Sequence, residues 1–350
     1  MNCVERYKAE RTASKVEAFL VKQKLPYDQK IILAERRAKE FYDQILGEGH
    51  NVHVSVGGLD SITLLLFLRS IGLDDVPAIS VSALEDKSIQ QIHKKLGVIP
   101  LKPLKSKVEV LQEYGFPVLS KEIAGKIDLL QRPSERNATV RHAIITGETG
   151  TYGGNRTGTR MKLSQKWLNL FGGYENEEEN VNYQVAPFKV SDKCCYYLKE
   201  KPCGNYAKEH DSYPYLGLMA SEGGRRRKAL MMNGCNYYGK TVTRSCPFAI
   251  FDRQDLLQLA LDLTVPVPEI YGEIARDSEG KLYTTKAQRT GCSMCGFGIH
   301  LEERPHRFDR LREANPDEWE FWMHYCVTDP KTGEKFGWGR VLDYIGVPYR

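Results

Sequence analysis

Apolar residues recur at helical spacing through residues 5 to 47, and Pro26 interrupts them. Two helices are expected there, with Asp28 able to cap the second. In that second helix Ile31, Ala34, Ala38, Phe41, Tyr42 and Ile45 fall on one face, which must pack on a core. The period then changes. Val52 to Val56 alternates like a strand, and Ser61 to Ile71 reads as a helix closed by Gly72. Val76 to Val81 is a second strand, Asp86 to Leu96 a second helix closed by Gly97, and Val98 to Leu104 a third extended piece. Strands alternating with helices predict an α/β fold with a parallel sheet covered on both faces.

Beyond this point the pattern loosens. Residues 131–190 are polar and rich in Gly and Asn, with one short helix expected near Leu163 to Leu170, and read as an insertion or lid. From Tyr213 a strand-like stretch through YLGLMA follows, then helices at Asp255 to Leu263, Pro316 to Tyr325 and Gly339 to Ile345. The expected division is a helical segment 1–47, an α/β nucleotide domain 48–275 and a C-terminal segment 276–350.

Composition adds little to this picture. The chain has 350 residues, 41% hydrophobic and 27% charged, which suits a globular protein with a full core. No apolar run is long enough to span a bilayer, and the charged start MNCVERYKAE lacks the apolar centre of a signal peptide, so a cytoplasmic protein with no membrane partner is expected. The net charge of +5 permits an anionic ligand without requiring nucleic acid. Two basic clusters are denser: Arg225-Arg226-Arg227-Lys228, and the Gly-rich TYGGNRTGTRMK with Arg156, Arg160 and Lys162. An acidic run, Glu175 to Glu179, reads as a surface loop.

Candidate chemistry lies in two places. In VSVGGLDS the strand ends in Gly57-Gly58, whose lack of Cβ lets backbone approach an anion. Asp60 and Ser61 then occupy the first turn of a helix, where N–H groups and the helix dipole favour phosphate. Ser61 can donate a hydrogen bond, and Asp60 can hold the turn or a magnesium ion. The G-x-x-x-x-G-K spacing of a Walker loop is absent. The second place is sulfur: Cys194-Cys195 in SDKCCYYLK, and Cys292 and Cys295 in RTGCSMCGFG. Adjacent residues alternate sides in a strand, so the doublet needs a helix start or a kink to aim both thiols one way. Glycines at 291 and 296 can free backbone N–H groups to hydrogen-bond sulfur. Nine cysteines in a long chain point to metal or catalytic use rather than a disulfide frame. Four thiolates suit zinc or an iron–sulfur cluster, and spacing alone does not separate the two.

Together these strings resemble the phosphoadenosine phosphosulfate reductase family, a branch of the PP-loop ATP-pyrophosphatase superfamily, from about residue 50 onward. GGLDS resembles the SGGxDS loop, SVSALEDKSI the adenosine-reading stretch, GLMASEGGRRR an arginine-bearing turn, and SCPFAIFDRQDLLQLA a segment before a helix. KCC with CxxC resembles the 4Fe-4S motif of adenylyl-sulfate reductases, and GCSMCGFGIHLEERPHRFDRL resembles uncharacterised members found in bacterial and phage genomes.

The resemblance implies a Rossmann-like fold of the adenine nucleotide alpha hydrolase kind, with a C-terminal cluster-binding extension. It implies nucleotide contacts from Ser55, Gly57, Gly58, Asp60, Ser61, Ser80, Glu222 and Arg226, with Asp60 and Arg226 as catalytic groups. It implies a 4Fe-4S cluster on Cys194, Cys195, Cys292 and Cys295. The loop departs from the family at Val56 and Leu59, and Gly223 and Phe251 replace a serine and a tryptophan. The tail LDYIGVPYR lacks the nucleophilic cysteine of sulfonucleotide reductases, leaving Cys326 as the one thiol after the CxxC.

Three functions follow. The first is an enzyme binding ATP or an adenylyl-sulfate-type nucleotide beside the cluster, for adenylylation or sulfur transfer. Its acceptor would be tRNA or DNA, touched by the basic loop from Arg156 to Lys166, or its partner a sulfur-donor protein. The second is a sulfonucleotide reductase using Cys326 or a partner's thiol. The third is a non-catalytic nucleotide-binding subunit of a modification or defence system, with a structural metal.

Overall fold

The computed structural model describes residues 3–174, 183–292 and 294–349, without the side chains of residues 3–11, Tyr152 and Arg225. The acidic run from Glu175 to Glu179 lies outside the described residues. The chain forms two compact units, each assembled from separate stretches: residues 1–102 with 201–293, and residues 103–200 with 294–350. This differs from the expected division at 47 and 275. The helical N-terminal segment belongs to the first core, and the last third of the chain is shared between both units.

The first unit holds the mixed α/β fold. Its six-stranded sheet contains β1 (Asn51–Ser55), β2 (Ala78–Ser80), β3 (Ile99–Pro100), β4 (Ser212–Leu216), β5 (Asn236–Tyr238) and β6 (Thr243–Ser245), in the order β3-β2-β1-β4-β6-β5. All neighbours are parallel except the edge pair β5 and β6. From β1 the chain winds outward to β2 and β3, then returns to place β4 on the other side of β1. Parallel crossovers are right-handed, so winding in opposite directions puts helices on opposite faces. The register sets Ser55 of β1 beside Ile79 of β2 and Leu216 of β4.

The helices follow the hydrophobic pattern closely. Helix α1 covers Cys3–Gln23 and α2 covers Tyr27–Gly47. On α2, Ala34, Ala38, Phe41 and Ile45 are buried, and Ile31 and Tyr42 pack partly buried against the same core. Pro26 takes the N-cap place, because its fixed φ already leads into the helix, and Asp28 lies in the first turn without a capping bond. Lys30 is also buried on this face, where its ammonium donates to Asp255 at 2.6 Å. Helix α3 spans Leu59–Ser70 and α4 spans Lys87–Lys95, the latter capped by Asp86 through the Ser88 N–H. Helices α5 (Gly224–Asn233) and α6 (Arg253–Asp262) complete the set used below. Asp252 caps α6 by accepting from the N–H groups of Gln254 and Asp255.

The second unit has its own core, including Phe116, Ile144, Trp167, Phe171, Phe308 and Trp338. Much of the stretch expected to be a lid supplies it. Helices Ala138–Thr146 and Gln165–Phe171 bury Ile144, Ile145, Trp167, Leu168 and Phe171. The polar composition of residues 131–190 hid these few large side chains, whose burial outweighs the average. Gly296–Phe297 pairs in parallel with Val118–Leu119. No helix among the described residues is long and apolar enough to cross a membrane.

Candidate nucleotide site at the glycine turn

The expected site residues of the turn come together at one edge of the first unit. Ser55 and Ser80 are the last residues of β1 and β2, and Gly58 is the N-cap of α3, which places Asp60 and Ser61 in its first turn. The strand order reverses between β1 and β4, and ligands of open α/β sheets bind outside the carboxyl ends of strands at such a reversal. The sheet topology therefore selects the same location as the glycine string. Gly217, just after β4, packs so closely on the turn that a Cβ would lie 3.1 Å from the Asp60 carbonyl oxygen and the Ser61 Cα.

The turn is held by a dense set of hydrogen bonds. The Gly57 N–H donates to Ser61 Oγ at 2.7 Å, and that hydroxyl donates to the Gly58 carbonyl at 2.9 Å. The buried His93 of α4 donates from Nε2 to the Gly57 carbonyl at 2.8 Å, and its Nδ1 meets Ser82 Oγ at 2.9 Å. The Leu59 N–H donates to the Tyr271 hydroxyl at 3.1 Å, which in turn bonds Thr290 Oγ1 at 2.7 Å. His93, Tyr271 and Thr290 had no signal in the sequence, because each reaches the turn from a distant segment.

Charge gathers around Asp60. Arg253, at the start of α6, donates from Nη1 to Asp60 Oδ1 at 2.7 Å and from Nη2 to the Gln288 carbonyl at 3.2 Å. Burial pushes the Asp60 carboxyl above its ordinary range; Arg253 opposes this, Glu222 adds to it, and Arg289 opposes it further. Asp60 is thus an ion-pair partner of Arg253. Glu222 accepts from the Met219 N–H at 3.1 Å and forms an ion pair with Arg226, whose side chain stays largely exposed. Arg226, Arg253 and Arg289 form an arginine rim near this helix N-terminus, the first two paired with Glu222 and Asp60, and guanidinium groups beside a helix start suit a polyphosphate. Of these, Arg253 and Arg289 escaped the sequence reading.

The cysteines are distributed differently. Lys193–Cys195 opens a helix that passes through a π-helical turn, Tyr196–Glu200, so the doublet does lie at a helix start. Cys194 is buried and Cys195 half-buried. Lys121 lies beside Cys195 and 2.9 Å from Glu200; burial works against its charge, but the neighbouring Cys195 and Glu200 raise its pKa overall. Cys295, in the same unit, offers its carbonyl to Arg307 Nη1 at 3.2 Å, whereas Cys292 belongs to the first unit. Gly296 has a packing role: a Cβ there would run into the Trp338 ring. None of the eight cysteines with described side chains is in a disulfide. Among the described residues, no three His, Cys, Asp or Glu side chains stand together as a metal site. By donor chemistry alone, four thiols suit a thiolate-bound metal. Cys326 is a core thiol. It is 2% exposed, its Sγ donates to the Trp322 carbonyl at 3.3 Å, and burial pushes it up to about 12. Such a thiol is a poor nucleophile.

No protein-family model and no curated protein matches the chain. Among solved structures, it resembles phosphoadenylyl-sulfate (PAPS) reductase from Candida auris in its phosphate complex, at 12% identity and a TM-score of 0.34, over 73% of this chain and 98% of that one. The mixed α/β fold, with its mainly parallel sheet flanked by helices, is established here by the strand order itself.

Proposed function

We propose that the chain is an enzyme that binds ATP or an adenylyl-sulfate-type nucleotide at the glycine turn. The observation that carries this reading is the coincidence of the Gly57-Gly58 turn with the reversal of strand order between β1 and β4. The phosphates would lie against the first turn of α3, with Arg226, Arg253 and Arg289 offsetting their charge. In the adenylylating form of the reaction, an acceptor oxygen attacks the α-phosphorus of ATP, the bond to the bridging oxygen breaks, and pyrophosphate leaves with that electron pair. The arginine rim would stabilise the pyrophosphate as its charge develops; sulfur transfer to the activated acceptor is the companion chemistry. Nucleic acid is the proposed acceptor, supported by the exposed Arg156, Arg160, Lys162 and Lys166.

A 4Fe-4S cluster on Cys194, Cys195, Cys292 and Cys295 belongs to the same proposal, with zinc as the alternative metal. When bound, it would supply a site for holding or delivering sulfur. Burial of Cys326 weighs against the variant in which that thiol attacks a sulfonucleotide.

The test has two arms. Calorimetric titration of anaerobically purified protein should show saturable binding of ATP or adenylyl sulfate, and heat from neither would overturn the nucleotide reading. Iron and acid-labile sulfide analysis of the same sample should find both elements; zinc without sulfide would replace the cluster by a structural metal.

A further inference from the structure

We propose that Tyr271 and Thr290 form a latch over the anion position of the glycine turn, so that a phosphate must displace the Tyr271 hydroxyl to bind. This rests on the nucleotide reading above and assigns a regulation to that site. Three observations carry it. First, the Tyr271 hydroxyl accepts the Leu59 N–H at 3.1 Å, the bond a phosphate oxygen would make at the start of α3. Second, the phenol fills the space over Gly58: a Cβ built there would collide with the Tyr271 hydroxyl and come within 3.0 Å of Thr290 Oγ1. Nothing the size of a phosphate oxygen reaches Gly58 from that side while the ring stays in place. Third, the segment that carries the latch is tied to the turn by removable polar contacts. Arg253 spans from Asp60 to the Gln288 carbonyl, and Tyr271 bonds Thr290 at 2.7 Å.

The Tyr271 ring is 4% exposed, and burial keeps its hydroxyl protonated by raising its pKa. A neutral phenol holds the N–H weakly compared with an anionic phosphate, whose charge-assisted bonds are about twice as strong. A phosphate ligand therefore opens the latch, whereas water does not. Because binding occurs only in the open state, the apparent affinity is lowered by the fraction of molecules that are open. Gly272, at a φ of +71°, ends the short helical turn Glu269–Tyr271 and gives the segment a backbone joint beside the ring.

The experiment measures equilibrium binding of ATP and of inorganic pyrophosphate to the wild type, Tyr271→Phe and Thr290→Val. Removing either hydroxyl loosens the latch while preserving shape. Tyr271→Phe should bind both probes about three- to tenfold more tightly, and Thr290→Val by a smaller factor, as expected for one lost hydrogen bond. The Leu59 amide should exchange its hydrogen faster in Tyr271→Phe without any ligand. Equal or weaker binding in both variants, alongside binding by the wild type, overturns the latch and leaves the nucleotide site standing. Binding of neither probe by any of the three proteins overturns both. If Tyr271→Phe does not fold, Thr290→Val decides, since it leaves the ring in place.

Discussion

Residues 55 to 61 hold their candidate site within one strand end and one helix turn, whereas the four cysteines come from two segments nearly a hundred residues apart. Both strings are equally plain in the sequence. In the first unit, Ser55, Gly57, Gly58, Asp60 and Ser61 share one edge because a strand, a turn and a helix start fix their geometry locally. The cysteines have no such local guarantee. Cys194 and Cys195 open a kinked helix in one unit, and Cys292 belongs to the other. A motif closed within a single supersecondary unit is set by backbone geometry, while a ligand set drawn from distant segments depends on tertiary packing that spacing does not encode. The glycines teach the same lesson. Gly296 has a packing reason to be glycine, the Trp338 ring, that its place beside Cys295 does not reveal.

The sharpest way to break this comparison is at Trp338. It is fully buried and packs edge-on against Phe116 and Phe308 at centroid distances of 5.0 and 5.3 Å. Trp338→Ala should cost the second unit about 3–5 kcal/mol in chemical denaturation. Gly296→Ala alone should cost about 1–3 kcal/mol by overpacking. Placed in the Trp338→Ala background, the Gly296→Ala cost should fall but not vanish, because the added methyl then enters the cavity left by the ring yet still lies 2.9 Å from the Pro117 carbonyl oxygen. An unchanged cost in the double variant would mean that the tryptophan is not what requires glycine at 296, and would assign the requirement to the Pro117 carbonyl instead.

A slightly smaller effect belongs to the sheet that carries the glycine turn. His53 of β1 is buried beside Ser212, at 2.6 Å from its hydroxyl. Burial, with a smaller contribution from His210, lowers its pKa from 6.5 to about 4. In the unfolded chain this imidazole takes its proton below about 6.5, but in the folded chain only near 4. Protons therefore favour the unfolded chain across that window, and stability falls as the pH drops through it. The full loss is about 3 kcal/mol at pH 4 and below. His53→Gln should flatten this part of the pH–stability curve. An identical slope in that variant would assign the acid sensitivity to other groups.

The helices and the parallel sheet were legible because hydrophobic period reports directly on burial: the face of α2 and strands β1 and β2 lie where the pattern places them. The two discontinuous units were not legible, since nothing local at residues 102, 200 or 293 marks a change of core. The backbone side of the candidate site was readable in GGLDS. Its side-chain clamps were not. His93 holds the Gly57 carbonyl from 36 positions away, and Tyr271 reaches the Leu59 N–H across 212. Helical period explains His93 as an ordinary residue on the buried face of α4, where Ile89 and Ile92 are buried as well. Only the fold reveals which carbonyl it meets.

The smallest expected effect on stability is also the most discriminating, because two adjacent glycines should part company. A methyl at Gly58 collides with the Tyr271 hydroxyl, so Gly58→Ala should cost about 1–3 kcal/mol, part of it recovered when Tyr271→Phe removes that oxygen. At Gly57 a Cβ would sit 3.6 Å from Glu85 Oε1 and 3.8 Å from Ser61 Oγ, ordinary contact distances, and its backbone is outside the left-handed region. Gly57→Ala should therefore leave stability within about 0.5 kcal/mol of the wild type. No packing partner in the unliganded chain requires glycine at 57, so the requirement has to come from something that approaches the turn. If that something is phosphate, Gly57→Ala should weaken ATP binding about tenfold or more, since one methyl displaces oxygen atoms from close contact with backbone N–H groups. A variant that folds like the wild type and binds ATP equally well would separate the glycine turn from nucleotide recognition and leave its resemblance to a phosphate loop a matter of shape alone.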